Sequence, residues 1–122
     1  MRHRLADVGF EQRDHVLVAR VEGVVDGSNA ADLGVALPER VPNTAFGLVL
    51  DLSAATFLDS AGINLLFDLG ARLQRRRQEL RIVVPQGSPI GRVLELAGVD
   101  SVAPVDRDVD AAVRGIESGR EG

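Results

Sequence analysis

The chain has 122 residues, a net charge of −4, and a composition that is 45% apolar and 26% charged. These values describe one globular domain with a single core. There is no Cys and all 14 basic residues are Arg, which excludes disulfides, sulfur-ligated zinc, Schiff-base lysines and lysine-dependent phosphate loops. The acidic balance argues against nucleic acid as a partner, and no apolar run reaches the roughly 18 residues of a membrane span. Asp7 interrupts the N-terminus before any signal-peptide core, so a cytoplasmic protein is expected. With aromatic residues at 3%, all of them Phe, the core falls to Leu, Val, Ile and Ala.

In chain order, Gly9 to Asp14 reads as a first strand and turn, forming a hairpin with the Val-rich strand His15 to Glu22 that Gly23 closes. Asp26 or Ser28 is expected to cap a helix whose apolar residues are Ala30, Leu33 and Leu37, with Pro38 and Pro42 stopping it. Phe46 to Leu52 is a nearly continuous apolar run, the pattern of a central strand covered on both faces. Phe57 and Leu58 are expected to dip back toward the core. Asp59 or Ser60 then caps the longest helix, from about Ser60 to Arg77, with a buried stripe of Leu65, Leu66, Leu69 and Leu73. Leu80 to Val84 reads as a strand. Ser88-Pro89 starts a helix through Ile90, Val93, Leu94 and Ala97 that ends at Gly98. Val99 to Val105 is expected as a short strand, and Asp106 or Asp108 as the cap of a last helix through Val109, Val113 and Ile116. Strands alternating with helices imply a single α/β domain over residues 1–122, its core at about 15–117 and its termini flexible.

Most candidate chemistry has a structural explanation. His3 and His15 are the only imidazoles, and with no Gly-x-Ser-x-Gly elbow they read as surface residues. Gly87-Ser88-Pro89-Ile90-Gly91 looks like a phosphate loop but lacks the lysine, and helix capping accounts for it. The cluster Arg72, Arg75, Arg76 and Arg77 suits the negative end of a helix. Asp51, at a strand end, superficially suits a phospho-acceptor in a nucleotide-binding or phosphotransfer protein. The sequence therefore carries no pattern for a metal, a cofactor or catalysis.

One stretch needs more than a cap to explain it. In Asp59-Ser60-Ala61-Gly62 an acid, a hydroxyl, a small residue and a glycine are adjacent at a helix start. Small neighbours let another protein's active site reach the Ser60 hydroxyl. A phosphate there is expected to face free amides at the positive helix end, while nearby carboxylates make the surface sharply more negative.

At these residues the sequence resembles bacterial STAS domains of the anti-sigma factor antagonist type. Gly23 to Leu33 resembles the family's strand-end Gly, Asp and helix start. Asp51-Leu52-Ser53, continuing into Phe57-Leu58-Asp59-Ser60-Ala61-Gly62-Ile63, resembles its phosphorylation motif, and Arg92 to Val99 its later helix ending in Gly. The likeness spans about Val16 to Ile116. It implies a small mixed sheet with about four helices packed mainly on one side. It also implies a non-enzymatic, phosphorylation-controlled partner switch in transcription regulation. The unphosphorylated antagonist binds an anti-sigma factor that is also a serine kinase and frees the sigma factor; phosphorylation of Ser60 releases the antagonist, and a serine phosphatase resets it. The partner surface so implied is Asp26, Ser28, Asp59, Ser60, Ala61, Gly62 and Asn64. Two positions depart from the family pattern: Ala61 replaces a second Ser or Thr, and Ile63-Asn64 replaces Leu-Gly. A STAS docking subunit of a stressosome or a transporter-associated complex is the alternative within the family.

Overall fold

The computed structural model describes residues 7–119. His3 and the last residues of the tail expected to fray lie outside them. The chain opens with β1 (Asp7–Arg13) and β2 (Val16–Val25), an antiparallel hairpin turning at Asp14, whose φ is 54°. Then follow α1 (Ala30–Arg40), β3 (Gly47–Asp51), β4 (Ala55–Leu58), α2 (Ser60–Arg75) and β5 (Glu79–Val83). The chain closes with α3 (Pro89–Ala97), a 3-10 turn at Val99–Ser101, β6 (Val105–Asp106) and α4 (Val109–Gly119).

The sheet order is β1-β2-β3-β5-β6, parallel except for the first pair, with β4 joined in parallel to the far half of β2. Alternation along β2 sorts its side chains between two layers. Leu17, Ala19 and Val21, with Leu48, Leu50, Leu80 and Ile82, meet the apolar faces of α1, α2 and α3. Val16 and Val18, with Val49 and Val83, meet Ala112, Val113 and Ile116 of α4 on the opposite face. The mixed sheet with helices mainly on one side is therefore the fold that forms, and α4 is the helix that covers the other face.

Several boundaries differ from the local signals, each for a tertiary reason. Gly23 does not end β2: at φ 92° it forms an irregularity, and the strand continues to Val25 because β4 pairs with it. Pro38 lies inside the last turn of α1, which runs on to Arg40. The longest helix stops at Arg75 because Arg77 turns left-handed (φ 60°) and the Gln78 N–H donates to the Leu73 carbonyl at 2.8 Å. Val99 to Val105 yields only the 3-10 turn and a two-residue strand. Asp108, not Asp106, caps α4, accepting from the Ala111 N–H at 2.7 Å; Asp106 instead pairs with Arg81 at 3.2 Å.

The end of β1 is tied to α4 by Arg13, which donates to Asp110 at 2.7 Å. That hydrogen bond and the attached charge hold the Asp110 carboxyl below the usual carboxylate range. The folded state thus binds this proton less readily than the unfolded chain does, so the pair supports the fold at neutral pH. The support fades as pH falls through the titration of Asp110. Both groups are solvent-screened, so the effect on stability is small. Arg13→Ala is expected to return the Asp110 titration, followed by carboxyl NMR, to an ordinary aspartate value with little change in thermal midpoint.

Candidate functional site

The residues singled out in the sequence converge where β2 and β4 end side by side. Val25 pairs with Leu58, and the Asp59 N–H donates to the Val25 carbonyl at 3.3 Å. Asp26 and Asp59 are therefore the first residues beyond two adjacent strand ends. Carboxyl ends of parallel strands are the usual place for function in open α/β sheets.

Asp59 is the N-cap of α2. Its Oδ1 accepts from the N–H groups of Ala61 at 2.9 Å and Gly62 at 3.1 Å, and its carbonyl accepts from the Ile63 N–H at 3.0 Å. The amides expected to be free for a phosphate are already bonded to Asp59. Ser60 begins the helix, exposed, and its hydroxyl bonds to no described residue. Ala61 is half-buried and Asn64, one turn on, is exposed. Gly62 is buried: a Cβ there would overlap the Leu58 side chain and meet Val25 Cγ1 at 3.2 Å. Its absence lets the first turn of α2 lie directly on β4 and β2, so this glycine positions the site and presents little surface of its own.

The loop from Asp26 to Asn29 forms the opposite wall. Asp26 Oδ1 accepts from the Ser28 N–H at 2.9 Å and from its hydroxyl at 2.6 Å. Neither residue caps α1 with its side chain: Asn29 occupies that position, and the Asp26 carbonyl accepts from the N–H groups of Asn29 and Ala30. Asn29 is 1% exposed and bridges the loop, accepting from the Asp26 N–H at 3.0 Å and donating to the Val24 carbonyl at 2.7 Å. Its latch role was not read from the sequence, because its neighbours offer equally good capping side chains. Phe57 is also a correction. It is half exposed, as is its register partner Val24, and the two place an apolar patch beside Asp59, whereas Leu58 alone turns inward.

Asp51, His15, Arg76 and Ser88 make local structural contacts. Asp51 is 9% exposed and accepts from the Ser53 N–H at 2.9 Å, which shapes the β3–β4 turn. His15 stacks on Phe46 with ring centroids 4.3 Å apart and lies 3.5 Å from Glu117. Arg76 donates to the carbonyls of Pro38 at 3.0 Å and Val41 at 2.8 Å, closing the end of α1 rather than of α2. Ser88 caps α3, accepting from the Ile90 N–H at 3.1 Å, beside an open cleft of about 600 Å³ where Arg92 and Arg107 mingle with Glu95 and Asp106. Among the described residues no group of three or more His, Asp and Glu is placed to hold a metal ion, and no helix is long and apolar enough to cross a membrane.

Comparison with known proteins places this geometry. The sequence pattern of the STAS domain family matches residues 8–112. The chain is 34% identical over 110 residues to the anti-sigma-F factor antagonist RsfB of Mycobacterium tuberculosis, covering 88% of each chain. It superposes on the crystal structure of an anti-sigma factor antagonist from Mycobacterium paratuberculosis with a TM-score of 0.80, at 28% identity, covering 92% of this chain and 94% of that one. A likeness in fold alone extends to the Bacillus cell fate determinant SpoIIAA in its phosphorylated form: TM-score 0.64, 16% identity, 88% of this chain and 98% of that one.

Two substitutions test how the site is held. Gly62→Ala is expected to lower stability by about 1–3 kcal/mol in chemical denaturation, because the helix must back away from Leu58. Asn29→Ala removes two partly buried hydrogen bonds of a buried side chain and is expected to cost a similar ~1–3 kcal/mol. A change within about 0.5 kcal/mol for either variant would contradict the packing described.

Proposed function

The chain belongs to the STAS domain family, and on that premise we propose that it is an anti-sigma factor antagonist switched by phosphorylation of Ser60. Unmodified, it docks on an anti-sigma factor that is also a serine kinase, and the sigma factor is set free. The kinase moves the γ-phosphoryl group of ATP to Ser60: the Oγ–P bond forms, the bond from the γ-phosphorus to the bridging oxygen breaks, ADP leaves and the hydroxyl proton passes to a kinase base. The antagonist then dissociates, and a serine phosphatase hydrolyses the phosphoester to restore it. The chain supplies a surface and an acceptor hydroxyl, and catalyses none of these steps.

One observation carries this reading: an exposed Ser60 hydroxyl in the first turn of α2 that bonds to no described residue, beside Asp59 and near the adjacent strand end that leads to Asp26. A phosphoserine adds about −1.5 to −2 charge at neutral pH. Because Asp59 already occupies the amides of Ala61 and Gly62, the helix end has little left with which to neutralise it. The added charge stays on the surface, next to two carboxylates, where a docked partner meets it as repulsion and desolvation. Asp26, Ser28, Asp59, Ala61 and Asn64 frame the hydroxyl, and the half-exposed Phe57 and Val24 give the partner an apolar anchor.

Incubation with the cognate kinase and ATP is expected to add one phosphate, read by mass spectrometry, and none to Ser60→Ala. Phosphate retained by Ser60→Ala would reject Ser60 as the acceptor. Ser60→Asp is expected to weaken kinase binding about tenfold or more with an unchanged circular dichroism spectrum. Equal affinities would rule out release by charge.

A further inference from the structure

The groove between α1 and α2 begins one residue past Ser60. It encloses about 590 Å³, and Ala61 and Asn64 lie on both the site and the groove wall. Ala30, Ala31 and Gly34 form the α1 side, with Val35 exposed at the rim, and Ala71 adds another small residue on α2. Small side chains on facing helices leave room for a third helix to approach closely. From Ala61 to Arg75 the α2 wall is about 21 Å long at 1.5 Å per residue, the length of a four-turn helix.

The far end of the groove has its own charge. Arg72 and Arg75 line it, both exposed, and neither bonds or pairs with a described residue. Asp68 also lies on the wall, four residues before Arg72, and makes no ion pair with it. Two cations against one anion make this end positive on a chain whose net charge is −4. At the opposite end the wall is the uncharged Ala61, two residues past the Asp59 cap, and Asn64. The basic end thus lies one helix length away from Ser60.

We infer that the groove is the docking track for an amphipathic helix of the anti-sigma kinase. The helix lays apolar side chains over Ala31, Gly34 and Val35 and acidic side chains against Arg72 and Arg75. This rests on the partner switch proposed above and adds the partner's chemistry and orientation. The acidic end of the helix lies away from Ser60, so the pairing with Arg72 and Arg75 that seats the helix leaves the Ser60 end exposed to added negative charge.

The test uses the intact chain and the kinase that phosphorylates it. Arg72→Glu together with Arg75→Glu is expected to weaken kinase binding about tenfold or more, and Ala31→Trp, which fills the groove without changing charge, to weaken it comparably. Each variant is checked for an unchanged thermal midpoint. A photocrosslinker at Ala31 is expected to capture a kinase segment with at least two Asp or Glu at helical spacing. If Ser60→Asp releases the kinase while the groove variants bind as tightly as the wild type, the groove is not the track and the switch stands. Crosslinking to a second copy of this chain, or to a kinase segment without acids, overturns the inference equally. If no kinase binds the unmodified chain, the switch itself fails and the docking track with it.

Discussion

Gly62 of α2 lies directly against Leu58 of β4 and Val25 of β2, and the end of the molecule that carries Ser60 is arranged by that approach. Because the helix sits on the strands at its first turn, its N-cap falls at the end of β4, next to the end of β2. Two acids from distant parts of the sequence, Asp26 and Asp59, then follow adjacent strand ends, and Ser60 comes next after the second. A side chain at Gly62 would push the helix start away from both strands. The glycine of the motif is thus a packing residue that gives Ser60 its position, while Asp59 gives Ser60 its electrostatic surroundings.

The cap has a second consequence. A helix N-terminus ordinarily welcomes an anion, and phosphorylation there would be expected to stabilise the first turn. Here one carboxylate oxygen already holds the amides of Ala61 and Gly62. The helix needs no phosphate for its own stability, and a phosphate finds few partners within the chain. Its charge is directed outward. Under the proposed switch, phosphorylation of Ser60 would leave the fold alone and change the docking surface, the separation that repeated binding and release requires.

Much of this was legible in the sequence where the signal was local. The apolar stripe of Leu65, Leu66, Leu69 and Leu73 follows helical spacing and is buried as read, and Asp59 caps as its residue type favours. The signal failed where a distant segment decides. β4 is a four-residue strand with two exposed residues and no clean alternation. It exists because residues some 30 positions earlier, the far half of β2, offer it an edge; the same pairing carries β2 past Gly23 and leaves Phe57 at the surface. Between Asp26 and Asn29 several side chains could cap a helix by type. The buried, doubly bonded amide of Asn29 settles the loop, and only the packed structure shows it. Likewise, residue order marked Ser60, but the bonded state of the amides around it is a matter of ångströms.

Under the proposed switch, charge added at Ser60 changes the surface and not the fold. Calorimetric titration of the anti-sigma kinase into the same preparation before and after stoichiometric phosphorylation, with amide hydrogen exchange recorded on both forms, separates the two effects. Phosphorylation is expected to lower affinity on the order of a hundredfold, from like charge at a docked interface, with unchanged protection in β2, β4 and α2. Equal affinities would contradict it, as would lost affinity accompanied by unfolding of the first turns of α2.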